Sequence, residues 1–180
     1  KVLPVTTAWA QGAGWMWQIP TAHRYGCGYV YSDAHITPDQ AMFVIESALG
    51  RKVEVRSYIR IEPGRQDRTW LGNCVSVGLA ASFLEPLEAT SIHGTVVQLM
   101  LLTGHLGQIS DAARAADSAV AARQGAEYRD VGRMHYVSER RDTAFWRDVT
   151  AHHPDVVKDR LALWSRKIPE ASDFAPFPQG

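Results

Sequence analysis

The chain has 180 residues, of which 46% are hydrophobic and 21% charged, a mixture that can build one domain with a real core and is unlike that of disordered chains. Its formal net charge is zero, so nothing marks a surface for nucleic acid or for an anionic membrane. No apolar run reaches the ~18 residues of a membrane span, and no signal peptide is visible. Cys27 and Cys74 lie far apart without C-x-x-C spacing. That pattern implies no metal site, fits a reduced, cytoplasmic compartment and leaves a single disulfide open. The opening Lys1-Val2-Leu3-Pro4 has no initiating Met, which reads as a piece cut from a longer protein.

Residues 1–14 are small and apolar, and Gly12 and Gly14 leave room for close backbone approach. Trp15 to Pro20 alternates as a strand does, with Trp15 and Trp17 on one face. Arg24 to Ser32 continues as a strand, with Gly26 and Gly28 marking a bend or close packing. Thr37-Pro38-Asp39-Gln40 then opens a helix: Thr37 caps it, Pro38 takes its first position, and Gln40 completes a capping box. Gly50 ends that helix. Lys52 to Ile61 alternates apolar and polar residues and reads as a half-buried strand. Glu62-Pro63-Gly64 turns it toward an antiparallel partner at Thr69–Ser76.

From residue 90 the pattern is helical. Ile92 to Leu106 is apolar all round, as a buried helix would be. Ser110-Asp111 caps a segment running to about Gln124, and Glu127 to Arg140 is either a further helix or its continuation. Asp142 or Thr143 caps Ala144–His152, and Pro154 begins a last helix reaching Trp164 to Arg166. Residues 169–180 read as irregular. The fold class is therefore α+β, with strands in the N-terminal half and helices in the C-terminal half.

Between the halves lies Gly72–Gly94, GNCVSVGLAASFLEPLEATSIHG. Glu85 and Glu88 bracket Pro86, whose ring discourages helix just before it. Thr90 and Ser91 are good N-cap residues for the following helix, and the unpaired N–H groups of a helix start suit an anion. The same residues also suit a plain strand-loop-helix corner whose acids cap the helix or face water.

Together with GWMWQIP (Gly14–Pro20), HRYGCGYVYS (His23–Ser32) and RRDTAFWR (Arg140–Arg147), this stretch resembles the flavin-dependent, or tryptophan, halogenases. The hallmark Trp-x-Trp-x-Ile-Pro is met by Trp15, Trp17, Ile19 and Pro20. Four ordered matches cover most of residues 5–150. The resemblance is to the C-terminal part of such an enzyme, and no G-x-G-x-x-G follows a strand here. It implies a fragment of a flavin monooxygenase-like fold. Residues 1–91 would belong to the flavin and halide-site domain, 92–168 to a helical substrate side, and 169–180 to an irregular tail.

The resemblance also implies chemistry. Reduced FAD, supplied by a separate flavin reductase, and O₂ convert halide ion to hypohalous acid, which reaches an aromatic small-molecule substrate. Glu88 matches the catalytic glutamate, and its partner lysine would belong to the N-terminal remainder of the enzyme. Thr90 and Ser91 match the halide-binding residues, Leu79 and Ile92 the flavin contacts, and Trp15 and Trp17 the wall between flavin and substrate. Phe145 and Trp146 match an aromatic pair that sandwiches an indole. Counting back from them, Met134, His135 and Arg141 fall where tryptophan-specific members carry two tyrosines and an acid. An arginine cannot receive a substrate ammonium as an acid would. Ala89 stands where serine is usual, and Ser91 where free-tryptophan enzymes have glycine. A homodimer is compatible with all of this. Two other readings are a flavin-dependent aromatic monooxygenase, against which the Trp-x-Trp wall counts, and a non-catalytic fragment lacking the nucleotide-binding half.

Overall fold

A computed structural model describes residues 5–84, 90–107, 109–170 and 173. The chain divides into two compact units, residues 1–59 with 136–152 and residues 60–135 with 153–180.

The first unit is built on an antiparallel three-stranded sheet, β1 (Thr7–Gln11), β2 (Gly14–Pro20) and β3 (Tyr25–Tyr31), with β2 in the centre. Alternation along β2 sends Met16 to one face, where it is fully buried, and Trp15 and Trp17 to the other. Across the ladder Trp15 sits opposite Ala10 and Val30, and Trp17 opposite Ala8 and Gly28. Three of these four partners are small, which leaves space for two indoles on neighbouring positions. The β1–β2 turn requires glycine at 14. Its φ is 152°, and a Cβ there would lie 2.1 Å from the Val30 carbonyl oxygen.

Helix α1 (Pro38–Leu49) starts as its sequence predicts. Thr37 Oγ1 accepts from the Gln40 N–H at 3.3 Å, and the Thr37 N–H donates to Gln40 Oε1 at 2.8 Å. Gly50 closes it in the left-handed conformation, φ 65°. Thr37→Ala should therefore cost about 1 kcal/mol, the usual worth of an N-cap hydroxyl. Denaturant unfolding of the full-length protein would read that loss, and an unchanged midpoint would show that the cap does not hold the helix.

Helix α4 (Ala144–Ala151) completes this unit. Thr143, not Asp142, is its cap: Thr143 Oγ1 accepts from the Trp146 N–H at 3.3 Å and donates to the Gly12 carbonyl at 2.6 Å. Asp142 instead holds Arg140 through two hydrogen bonds, at 2.7 and 3.0 Å. The guanidinium beside it lowers the Asp142 carboxyl below its ordinary pKa.

The expected strand at Lys52–Ile61 does not form, and the segment carries no strand. Ile59 is 79% exposed. Alternation marks which side chains could share a face, but a strand exists only where a ladder partner exists. The expected partner folds on itself: β5 (Trp70–Leu71) pairs with β6 (Cys74–Val75) around Gly72, whose φ is 58°. Beside this hairpin, β4 (Gly64–Arg65) pairs with β7 (Ser82–Phe83), and a 3-10 turn spans Gly78–Ala80.

Helices α2 (Thr90–His105), α3 (Asp111–Met134) and α5 (Asp155–Trp164) make up the rest of the second unit. Helix α3 runs unbroken for 24 residues from its Ser110 cap, so the segment from Glu127 continues the helix and ends at Met134. Ser118 Oγ accepts from the Thr69 N–H at 3.2 Å, and buried Asp117 accepts from the Thr69 hydroxyl at 3.3 Å, tying β5 to α3. Helix α2 departs from its expected burial. Only Gly94 and Gln98 are buried, while Ile92 is 69% and Met100 68% exposed. At 100° per residue, Ile92, Val96, Leu99 and Met100 form a stripe opposite Gly94 and Gln98. The helix packs through its small and amide-bearing side and leaves its apolar stripe open.

Candidate functional site

The residues singled out by sequence fall into two groups, one in each unit. In the first unit the two tryptophans of β2 lie with ring centroids 6.5 Å apart, tilted by 43°. Behind Trp15 stand Trp146, edge-on at 6.1 Å, and Tyr136, edge-on at 6.5 Å. Phe145 packs on Trp146 at 5.3 Å. Trp146 is 1% exposed, its indole N–H donating to the Gln11 carbonyl at 2.8 Å. Phe145 is buried beside it, so Phe145, Trp146 and Ala13 form the core of this unit. Neither Phe145 nor Trp146 offers an open ring face here.

Two residues of this group were not singled out by sequence reading. The Arg140 guanidinium lies 4.6 Å from the Trp146 ring centroid and donates to the Ala10 carbonyl at 3.0 Å. His35 bridges Ser32 Oγ at 2.8 Å and Asp148 Oδ2 at 2.7 Å, and its ring meets Phe145 edge-on at 5.4 Å. Arg141 is exposed and donates to the carbonyls of Ser138 and Arg140, at 3.0 and 2.6 Å.

In the second unit, Thr90 and Ser91 occupy the first turn of α2. The expected cap at Thr90–Ser91 is thus one step further into the helix, with both residues helical. Leu79 sits in the 3-10 turn, and the Gly78 N–H beside it donates to Gln98 Oε1 at 2.8 Å. Leu79 and Ile92 are both largely exposed. Met134 ends α3, and His135 follows as its C-cap with the ring Nδ1 3.2 Å from the Val131 carbonyl. Glu88, with Glu85 and Ala89, lies outside the described residues.

Helices α2 and α3, the 3-10 turn and β7 line a half-open cavity of about 230 Å³. Thr90, Ser91, Gln98, Gln124 and Tyr128 are among the residues that line it. Gln124 Nε2 donates to the Tyr128 phenol at 3.1 Å, and burial pushes the Tyr128 pKa up. Among the described residues no three His, Cys, Asp or Glu side chains gather as a metal site, and no helix is long and apolar enough to cross a membrane. Cys27 and Cys74 are free, exposed thiols.

The family model for tryptophan halogenases matches residues 1–177. The chain belongs to the tryptophan halogenase family. Tryptophan 6-halogenase SttH of Streptomyces toxytricini is 33% identical over 98% of this chain, and the match takes up 35% of SttH. Among solved structures, the thermophilic tryptophan halogenase Th-Hal from Streptomycin violaceusniger superposes with a TM-score of 0.88 at 32% identity, covering 96% of this chain and 35% of that one. Xcc4156, a flavin-dependent halogenase from Xanthomonas campestris, gives 0.84 at 36% identity, covering 95% of this chain and 36% of that one. This tryptophan halogenase family chain thus spans about a third of the length of the relatives it matches.

Proposed function

We propose that the full-length protein is an FAD-dependent halogenase acting on an electron-rich, indole-like ring. The observation that carries this reading is a near end-to-end likeness to halogenases, 98% of the chain against SttH, in a chain that holds both the Trp15-x-Trp17 strand and the sequence Glu85-Pro-Leu-Glu88.

Bound reduced FAD, with O₂ and halide, supplies an electrophilic halogen in the form of hypohalous acid. Leu79 and Ile92 present apolar surface to the flavin ring, and the first-turn N–H groups at Thr90 and Ser91 hold halide. Trp15 and Trp17 form a rigid wall that keeps substrate from the flavin. Phe145 and Trp146 brace that wall from behind, since Trp146 packs directly on Trp15. Met134, His135 and Arg141 belong to the substrate side. The ring carbon attacks the halogen of the hypohalous acid, a carbon–halogen bond forms, and hydroxide leaves. Glu88 stabilises the resulting ring cation and takes its proton, restoring aromaticity with water as the by-product. The partner lysine and the dinucleotide-binding turn belong to the remainder of the enzyme, and a separate reductase supplies reduced flavin.

Residues 1–180 contain no Gly-rich phosphate-binding fingerprint. By themselves they should bind FAD weakly or not at all, while the full-length protein binds it. Parallel fluorescence titrations test this, and tight stoichiometric binding by residues 1–180 would contradict the division of labour.

A further inference from the structure

Three consecutive backbone carbonyls at the end of β1 are each held by a side chain from α4 or the segment leading into it. Arg140 Nη1 donates to the Ala10 carbonyl at 3.0 Å, the Trp146 indole N–H to Gln11 at 2.8 Å and the Thr143 hydroxyl to Gly12 at 2.6 Å. Residues 10–12 lead into the turn before β2. Ala10 stands opposite Trp15 in the ladder, and Gln11 opposite Gly14. The backbone facing the first tryptophan of β2 is thus fixed by side chains that are not part of the sheet.

Arg140 does most in this arrangement. Its Nε and Nη2 grip the two oxygens of Asp142, at 3.0 and 2.7 Å, a bidentate pair that sets the plane of the guanidinium. Nη1 is left for the Ala10 carbonyl, and the guanidinium carbon lies 4.6 Å from the Trp146 ring centroid. One planar group therefore reaches two neighbours of Trp15: Ala10 across the ladder, and Trp146, edge-on to Trp15 at 6.1 Å. A lysine ammonium has no planar fork with which to grip Asp142 while also serving Ala10 and Trp146.

We propose that Arg140 is a positioning residue for the Trp15–Trp17 pair. Acting through Ala10 and Trp146, it holds the two rings at their 6.5 Å separation and 43° tilt, and the coupling of flavin oxidation to halogenation depends on it. The coupling clause rests on the halogenase reading, in which this pair keeps substrate from the flavin. A pair free to tilt opens that separation, and flavin is then oxidised without halogenated product being formed.

The test compares full-length wild type with Arg140→Met, Arg140→Lys and Thr37→Ala, each shown to be folded by its thermal melt. Two quantities are read. One is halogenated indole formed per reduced flavin oxidised. The other is the circular-dichroism band of the coupled indoles, identified as the difference between wild type and Trp17→Phe. Both Arg140 variants should form about tenfold less product per flavin, within the hundredfold that a displacement of about 1 Å can cost. Flavin oxidation should stay near the wild-type rate, and the band should be much reduced. Thr37→Ala, which loosens a helix cap elsewhere in the same unit, should change neither quantity. If Arg140→Met does not fold, Arg140→Lys decides alone. Wild-type coupling in a folded Arg140 variant overturns the proposal, and so does an equal loss in Thr37→Ala, which would trace the effect to general destabilisation. Because the band is read without turnover, the two readings fail separately. A band lost with Arg140, in a protein that makes no halogenated product, removes the halogenase and keeps the positioning role. Normal halogenation with band and coupling unchanged does the reverse.

Discussion

In the full-length enzyme, Glu88→Gln should lower halogenation by roughly two or more powers of ten, the scale of lost general-base and electrostatic assistance. Glutamine keeps the volume of the side chain but cannot steady a ring cation or accept its proton. Oxidation of reduced flavin should stay near normal, because no ring cation forms in that step. Glu85→Gln is the control and should cost less if that acid is structural. Halogenated product and flavin oxidation are followed together on an indole substrate. Near-normal product from Glu88→Gln would remove the catalytic assignment while leaving the family membership intact.

Trp146→Ala separates a core role from a substrate-contact role. The side chain is 1% exposed and holds the Gln11 carbonyl at 2.8 Å. Its removal should cost about 3–5 kcal/mol, through lost burial and the cavity left behind. The thermal midpoint of the full-length protein should fall by several degrees or more. Trp146→Phe should cost less, since it keeps most of the aromatic bulk and loses the indole N–H bond and part of the ring's packing. The opposite result, an unchanged midpoint with a raised KM, would place Trp146 against the substrate and contradict its packing role.

Local signals in the sequence translated well into structure. Thr37, Pro38 and Gln40 specify a helix start within four residues, and the capping box forms as written. The Trp15–Trp17 alternation specifies a strand face, and β2 presents it. Signals that depend on distant partners did not translate. Lys52–Ile61 has a strand's alternation but no ladder, because residues 70–75 are consumed by their own hairpin at Gly72. The apolar run of α2 suggested full burial, yet Gly94 and Gln98 decide which side packs, and they sit opposite the stripe. The motif Phe145-Trp146 announces aromatic rings without saying whether their faces are open, and burial shows them closed. His35 reaches Asp148 across 113 residues of sequence, a separation that carries no local signature. The same is true of the Gln98 carboxamide, which accepts from the Gly78 N–H only once α2 and the 3-10 turn meet.

The most direct test of the central claim is the product itself. Full-length protein would be supplied with FAD, a flavin reductase, O₂, indole and either chloride or bromide, and the products read by mass spectrometry. A halogenase leaves a product carrying the isotope pattern of whichever halide was present, and none when halide is omitted. A hydroxylated indole formed equally well without halide would contradict the account and make the protein a monooxygenase.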